Sequence, residues 1–207
     1  MGVTARPVTA ARWDDFAAFA GPSGLYSGCW CTYFRRKGAE FEAGCRNKGV
    51  GNREFLSRLT EEGRVPGLLA YGDDREPVGW VSVGPRADFG RVLRSPILKP
   101  AAEESAEPNA WSVVCFYIAR SARRSGVATA LLDAAMTYAT KHGAQVIEGY
   151  PVDTGGRRRP SAELYTGTLD LFTRAGFTEA FRRSPHRPVV RFEVTSAESR
   201  AKQRRRP

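Results

Sequence analysis

The sequence lacks the long apolar run that a membrane-spanning helix requires. Its 207 residues contain no stretch of eighteen or more apolar residues, whereas a helix needs about twenty to cross a bilayer. The first residues also lack an apolar signal segment, because the short run at residues 17–20 stops at Gly21 and Pro22. The composition therefore argues against a membrane protein and predicts a cytoplasmic location.

Residues with metal-binding side chains are few and poorly spaced for a metal site. The chain has four cysteines and two histidines. Cys29 and Cys31 form a C-x-C pair, not the wider spacing that zinc sites use, and His142 and His186 lie far away in sequence. We therefore expect no metal, and we expect free thiols, as is usual in a cytosolic chain.

Acidic residues are outnumbered: 22 Asp and Glu stand against 32 Lys and Arg, which gives a net charge of +10. The excess lies in three arginine-rich clusters, at residues 157–159, 182–187 and 200–206. These clusters lack interleaved aromatic residues and a nucleic-acid-binding motif, which argues against nucleic acid as a partner. A solvated surface and attraction to an anionic coenzyme or substrate are the other interpretations.

A basic loop that contains glycine lies between a predicted strand and a predicted helix. Residues 111–118 (WSVVCFYI) are apolar and rich in aromatic and β-branched side chains, which is typical of a buried strand. Residues 129–141 place apolar side chains on one helical stripe. Free N–H groups and the dipole at such a helix start bind phosphate or pyrophosphate. The residues predicted to do so are Arg123, Arg124, Ser125, Gly126, Val127, Ala128 and Thr129.

Two motifs resemble a known family. Arg123-x-x-Gly126-x-Ala128 is similar to the acetyl-CoA signature R/Q-x-x-G-x-G/A of the GCN5-related N-acetyltransferase (GNAT) superfamily. Residues 172–177 (FTRAGF) resemble its helix-end signature Y-x-x-x-G-F, with Phe172 in the position of the tyrosine. The resemblance implies a single α/β domain with a mixed, mostly antiparallel, twisted sheet flanked by helices. Its central strands would splay apart at the acetyl-CoA site.

The resemblance also implies a reaction. An amine would attack the thioester of acetyl-CoA directly in a ternary complex, without a metal. Phe116, Tyr117 and Ile118 would contact the pantetheine and the thioester through their backbone. We favour a small-molecule primary amine, because residues 21–50 have the composition of an apolar pocket wall. A protein-lysine acetyltransferase and a catalytically silent acyl-CoA-binding module are alternatives, and a homodimer is left open.

The usual proton donor of the family is absent, because Phe172 cannot give a proton to the departing thiolate. Tyr165, seven residues earlier, supplies the nearest phenol and is the candidate general acid, although it could equally pack on the sheet. Glu148, in the apolar run of the next predicted strand, is the candidate base. Solvent exposure or pairing with an arginine is the other interpretation of Glu148.

The acceptor amine would be recognised by the region of the first two helices and by the loops at residues 85–110 and 151–165. Cys29, Trp30, Tyr33 and Phe34 are predicted to form an aromatic wall of the acceptor site. Four acidic residues could attract a cationic amine: Asp73, Asp74, Glu103 and Glu104.

The domain boundaries follow from these interpretations. We predict one domain over residues 1–195, with acceptor-side helices and a loop at about 9–63 and a coenzyme core at about 65–195. Within the first part, we expect a loop with a short helix at residues 21–50 and a second helix from Asn52 to Glu62. Residues 196–207 carry no large apolar side chain, so we predict a basic, disordered tail there.

Overall fold

The computed structural model describes residues 2–101, 107 and 109–194, so the predicted tail and residues Glu103 and Glu104 lie outside the described part. The strands are β1 (Thr4–Pro7), β2 (Gly67–Tyr71), β3 (Pro77–Pro85), β4 (Ala110–Ile118), β5 (Val146–Gly149), β6 (Thr178–Arg182) and β7 (Pro188–Glu193). The helices are α1 (Trp13–Ala20), α2 (Gly38–Glu61), α3 (Gly90–Arg94), α4 (Val127–Lys141) and α5 (Leu169–Arg174).

Within the described residues, the seven strands form one sheet in the order β1-β2-β3-β4-β5-β7-β6. Neighbouring strands are antiparallel except β4 and β5, which run parallel. The mixed, mostly antiparallel sheet confirms the predicted fold class. None of the described helices has the length and apolarity that a membrane crossing requires.

The parallel pair β4 and β5 separates half-way along β4. The pairing runs from Ala110 with Val146 to Val113 with Gly149. There β5 ends, while β4 continues to Ile118. The backbone groups of β4 beyond this point therefore face a gap that other atoms must fill.

A β-bulge in β4 lies at the same place. Ser82 of β3 pairs with Cys115, but its neighbour Val83 pairs with Val113, which leaves Val114 as the extra residue. A bulge re-aims the side chains that follow it. As a result, Val114 and Cys115 both pack into the core on the α1–α2 side of the sheet, whereas Phe116 packs on the α4 side.

Apolar side chains cover both faces of the sheet. The face that carries α4 buries a stripe of that helix, namely Val127, Leu131, Leu132, Ala135 and Ala139. The opposite face is packed by α1, α2 and the loop between them, with Phe16, Trp30, Leu56, Trp80 and Tyr150 at its centre. A large cavity lies where these two cores meet at the end of β4.

The structure corrects the prediction for residues 21–61. We expected a loop with a short helix and a second helix from Asn52, but α2 already begins at Gly38 and is broken at residues 46–49. Gly49 adopts φ +85°, and a Cβ there would lie 2.5 Å from the Cα of Gly28. This close backbone contact requires glycine at both positions and fixes the loop 21–37 against α2.

Candidate active site

One cavity of about 1120 Å³ joins the start of α4 to the loop between α1 and α2. Its coenzyme end is lined by residues of the basic loop, the first turn of α4, the segment before α5 and the end of α5, including Arg123, Arg124, Gly126, Thr129, Ser161 and Arg174. Its acceptor end is lined mainly by aromatic rings and thiols, including Cys29, Cys31, Tyr33, Phe34, Phe41 and Cys45. The exposed end of β4, residues 115–118, lies between the two ends.

The loop before α4 is shaped to receive an anionic group. Gly126 is the N-cap of α4 with φ +87°, a left-handed conformation that suits glycine. A Cβ at Gly126 would meet no atom within 4 Å, so the helix start is open on this side. The side chain of Arg123 donates to the Ile118 carbonyl at 3.2 Å and to Ser161 Oγ at 3.1 Å. These features fit a pyrophosphate.

At the end of β4, one of the backbone groups predicted to contact the thioester is already hydrogen-bonded within the protein. Phe116, Tyr117 and Ile118 all line the cavity. The N–H of Phe116 donates to the carbonyl of Tyr165 at 2.6 Å. The segment before α5 therefore fills part of the gap that the end of β5 leaves.

Tyr165 lies at the junction between the two ends of the cavity. Its ring is 6.3 Å from that of Phe34, and the Arg187 guanidinium lies 5.8 Å from its centroid. Burial raises the pKa of the Tyr165 phenol, and the nearby Arg187 opposes this shift. The phenol is therefore protonated at neutral pH and has a proton to give.

Phe172 is a core residue. It is fully buried and packs edge-to-face against Phe116 and Phe177. Gly149 and Gly167 make room for its ring, because a Cβ at either would come within 3 Å of it. Phe172 fills the space beneath the gap between β4 and β5.

Glu148 is held in a buried network and is not among the residues that line the cavity. Its carboxylate accepts from Arg86 at 2.8 Å, from the Tyr150 hydroxyl at 2.8 Å and from Arg191 at 3.0 Å. Tyr150 also shares a hydrogen bond with Ser112. The predicted base role of Glu148 stays a prediction that the cavity lining does not support.

The acceptor end contains three of the four predicted wall residues. Cys29, Tyr33 and Phe34 line the cavity. Trp30 does not; it is buried between Trp13 and Phe16 in the core beneath the wall. Sequence reasoning missed the contribution of Phe41 on α2, whose only signal is its place in an aromatic-rich segment.

All four thiols of the chain line this cavity. The Sγ atoms of Cys31 and Cys115 are 2.9 Å apart, and both cysteines are free. The contact with Cys115, together with burial, raises the pKa of Cys31 well above its usual range. Burial raises the pKa of Cys29 to about 12. The thiols with resolved shifts are therefore protonated and weakly nucleophilic at neutral pH.

The remaining candidates lie elsewhere. Asp73 and Asp74 are exposed in the turn between β2 and β3, where Asp73 accepts from the backbone N–H of Gly2. His142 caps the end of α4, with Nδ1 2.7 Å from the Tyr138 carbonyl. The described residues contain no group of three or more His, Cys, Asp or Glu able to hold a metal.

The family model of the Acetyltransferase (GNAT) family matches residues 39–166. The chain belongs to the GNAT acetyltransferase family. The match includes the basic loop, β4, β5 and Tyr165, so it covers most of the cavity described above. No curated protein matches the chain.

Solved structures of other GNAT proteins share the fold at low sequence identity. PaiA N-acetyltransferase from Thermoplasma acidophilum, solved in complex with coenzyme A, is 12% identical with a TM-score of 0.51, covering 94% of this chain and 100% of that chain. A GCN5-related N-acetyltransferase from Kribbella flavida is 16% identical with a TM-score of 0.52, covering 93% and 98%. The GNAT domain of S. lividans PAT is 17% identical with a TM-score of 0.52, covering 93% and 90%.

Proposed function

We propose that this GNAT acetyltransferase moves an acetyl group from acetyl-CoA to the primary amine of a small molecule, by direct attack in a ternary complex. The observation that carries the proposal is the continuous cavity between the loop before α4 and the aromatic wall. A donor held at one end and an amine held at the other would meet at the end of β4. The acceptor end, walled by the rings of Tyr33, Phe34 and Phe41, suits a small molecule better than an extended peptide.

The coenzyme end would hold the donor through its anionic groups. The N–H groups at the start of α4 would receive the pyrophosphate, with Arg123 and Arg124 supplying positive charge. The backbone of residues 116–118 would hold the pantetheine arm. Bound acetyl-CoA supplies an activated acyl group on a thiol leaving group, and the protein's task is to align it with the amine.

The end of β4 would also stabilise the charge that develops on the acyl oxygen. The Phe116 N–H is the donor best placed for this role, and its present partner is the Tyr165 carbonyl. We propose that the segment before α5 moves when the donor binds, which frees this N–H for the acyl oxygen. The same movement would re-aim the Tyr165 side chain.

Tyr165 would protonate the departing thiolate. Its phenol lines the cavity and its raised pKa keeps the proton in place at neutral pH. Cys29 and Cys31 offer no rival route through an acyl-enzyme, because burial keeps the Cys29 thiol protonated and the contact with Cys115, together with burial, keeps the Cys31 thiol protonated. Direct attack by the amine is therefore the route that we propose.

The test is release of the CoA thiol from acetyl-CoA in the presence of each member of a panel of amines. The reaction is quenched, and the free thiol is then measured with a thiol-specific reagent. We expect amine-dependent release with at least one small amine. Tight CoA binding without release above the buffer rate for any amine class would favour the silent acyl-CoA-binding module instead.

A further inference from the structure

The acceptor end of the cavity offers no negative charge. Among the residues that the structure describes, no aspartate or glutamate lines the cavity. The polar side chains at this end and at its junction with β4 are Ser27, the four thiols and the phenols of Tyr26, Tyr33, Tyr117 and Tyr165. An ammonium group that entered this space would lose its water shell without gaining an anionic partner, which is costly.

Two arginine side chains lie close to the aromatic rings that line the cavity. The Arg91 guanidinium lies 4.0 Å from the ring centroid of Tyr33 and 5.8 Å from that of Phe41. It is held there because its Nε donates to the Tyr33 carbonyl at 2.7 Å. Arg187 lies near the ring of Tyr165 and donates to Thr166 Oγ1 at 3.0 Å. Because the rings of Tyr33, Phe41 and Tyr165 already interact with a guanidinium group, they attract a cationic ligand less strongly.

Three groups that could become anionic have a raised pKa and stay neutral at neutral pH, namely Cys29, Cys31 and Tyr165. Burial raises the pKa of the Cys29 thiol to about 12, and that of Cys31 lies well above its ordinary value. The pKa of the Tyr165 phenol is raised as well. At the coenzyme end, Arg123 and Arg124 add further positive charge. The cavity therefore presents a neutral or positive surface to an incoming amine at neutral pH.

We infer that the acceptor is an aromatic amine whose nitrogen is bonded directly to the ring, so that it binds uncharged. This inference rests on the proposed function. The lone pair of such a nitrogen is delocalised into the ring, so the amine is unprotonated at neutral pH, whereas an alkylamine is an ammonium ion. Tyr33, Phe34 and Tyr165 present rings against which an aromatic acceptor can stack.

Acetyl transfer to an uncharged aromatic amine does not require a basic side chain in the cavity. The nitrogen forms a bond to the acetyl carbon as the carbon–sulfur bond breaks, and the proton that leaves the nitrogen replaces the proton that Tyr165 gives to sulfur. No ammonium has to be deprotonated before the attack. A site that lacks a carboxylate on the described residues is therefore suited to this class of amine, and unsuited to a lysine side chain.

Two isomers test the inference. p-Toluidine and benzylamine have the same atoms and nearly the same apolar surface, but only benzylamine is protonated at neutral pH. Their Kd values would be measured by calorimetry from pH 6.5 to 8.5, on the free protein and on protein saturated with CoA. We expect p-toluidine to bind at least about tenfold more tightly at pH 7, with a Kd that does not change with pH. The Kd of benzylamine should fall by about tenfold for each pH unit.

A pair of variants at Cys45 provides the control. Cys45 lines the acceptor end and its Sγ accepts from Asn52 Nδ2 at 3.3 Å, a bond that either replacement can keep. Cys45→Asp places a carboxylate in the cavity, whereas Cys45→Asn has the same size without the charge. We expect Cys45→Asp to bind benzylamine at least about tenfold more tightly than Cys45→Asn at pH 7, with little change for p-toluidine.

The outcomes separate the two proposals. A benzylamine Kd that is independent of pH, or a preference for benzylamine at pH 7, would overturn the inference, because it would mean that the ammonium form is accepted. Failure of both isomers to bind would overturn it too. Failure of the protein to bind CoA would overturn the proposed function, while the isomer comparison on the free protein would still decide the acceptor class.

Discussion

The backbone N–H of Phe116 donates to the carbonyl oxygen of Tyr165 at 2.6 Å, across 49 residues of sequence. Phe116 lies on the part of β4 that β5 no longer covers, and Tyr165 lies on the segment that leads to α5. One side of the gap between the two parallel strands is therefore closed by the residue whose phenol faces the cavity. This contact links the backbone site for the acyl group to the proposed proton donor.

If the Tyr165 phenol is the general acid, its ionisation should appear in the pH dependence of kcat. Tyr165→Phe is expected to lower kcat by about 10²–10⁴-fold with little change in acetyl-CoA affinity. The pKa of Tyr165 is raised, so the acid form is present below that pKa and is lost as the pH rises through it. The wild type should therefore lose kcat on the alkaline side, and the variant should lack this limb.

Tyr33→Phe is the matched control, because Tyr33 also lines the cavity. It should keep the alkaline limb of the wild type. Equal kcat for the wild type and Tyr165→Phe across the pH range would assign Tyr165 to packing and leave protonation of the thiolate to solvent.

Gly126 is the most direct test of the pyrophosphate site. Gly126→Asp would place a carboxylate at the open start of α4, and the affinity for CoA should fall by at least about 2 kcal/mol, or about thirtyfold. Gly126→Asn has the same size and tolerates the same positive φ, so it isolates the charge. Calorimetry with CoA gives the comparison. If both folded variants bound CoA like the wild type, the pyrophosphate would not lie at this loop.

The network around Glu148 predicts a loss of stability on substitution. Glu148→Gln would remove the buried carboxylate that lies 2.8 Å from Arg86, a residue that is 4% exposed and also lies 3.7 Å from Glu107. Breaking a buried ion pair in this way costs about 3–5 kcal/mol. Tyr150→Phe removes only a hydroxyl from the same network and should cost about 1–3 kcal/mol.

Chemical denaturation measures both changes in the free energy of unfolding. A Glu148→Gln protein of wild-type stability that had lost turnover and an acidic limb of its pH profile would support a base role for Glu148 instead. That outcome would also show that the carboxylate reaches the cavity in the complex.

The cysteines should carry no metal. Although all four line one cavity, no group of three metal ligands occurs among the described residues. Elemental analysis of the purified protein is expected to find no stoichiometric zinc. About one zinc per chain, lost on Cys31→Ser, would contradict this expectation.

The coenzyme end of the cavity could be predicted from patterns among residues that are neighbours in the sequence. The apolar strand 110–118, the loop that contains Gly126 and the amphipathic helix are contiguous, so periodicity and turn chemistry predicted a glycine-containing loop before a helix at 129–141, and α4 begins two residues earlier, at Val127. The fold class followed from the resemblance of the motifs to the GNAT family. These features depend on neighbours in sequence, which a single chain displays.

The acceptor end depends on contacts between distant residues, which the sequence does not display. The start of α2 at Gly38 was missed because glycines and polar residues dominate there, and its position is fixed by Asn52 bonding to Arg36 and to the Gly28 carbonyl. Likewise, pairing of Glu148 with an arginine was one interpretation of the sequence, but no local pattern identified Arg86, 62 residues away, as the partner.

Initial-velocity kinetics with an amine that supports thiol release test the central claim most directly. Transfer in a ternary complex predicts intersecting double-reciprocal lines when acetyl-CoA and the amine are varied together, and it predicts that no acetyl group remains on the protein after incubation with acetyl-CoA alone. Parallel lines, together with intact-mass evidence for an acetyl group on one of the four cavity cysteines, would contradict the account.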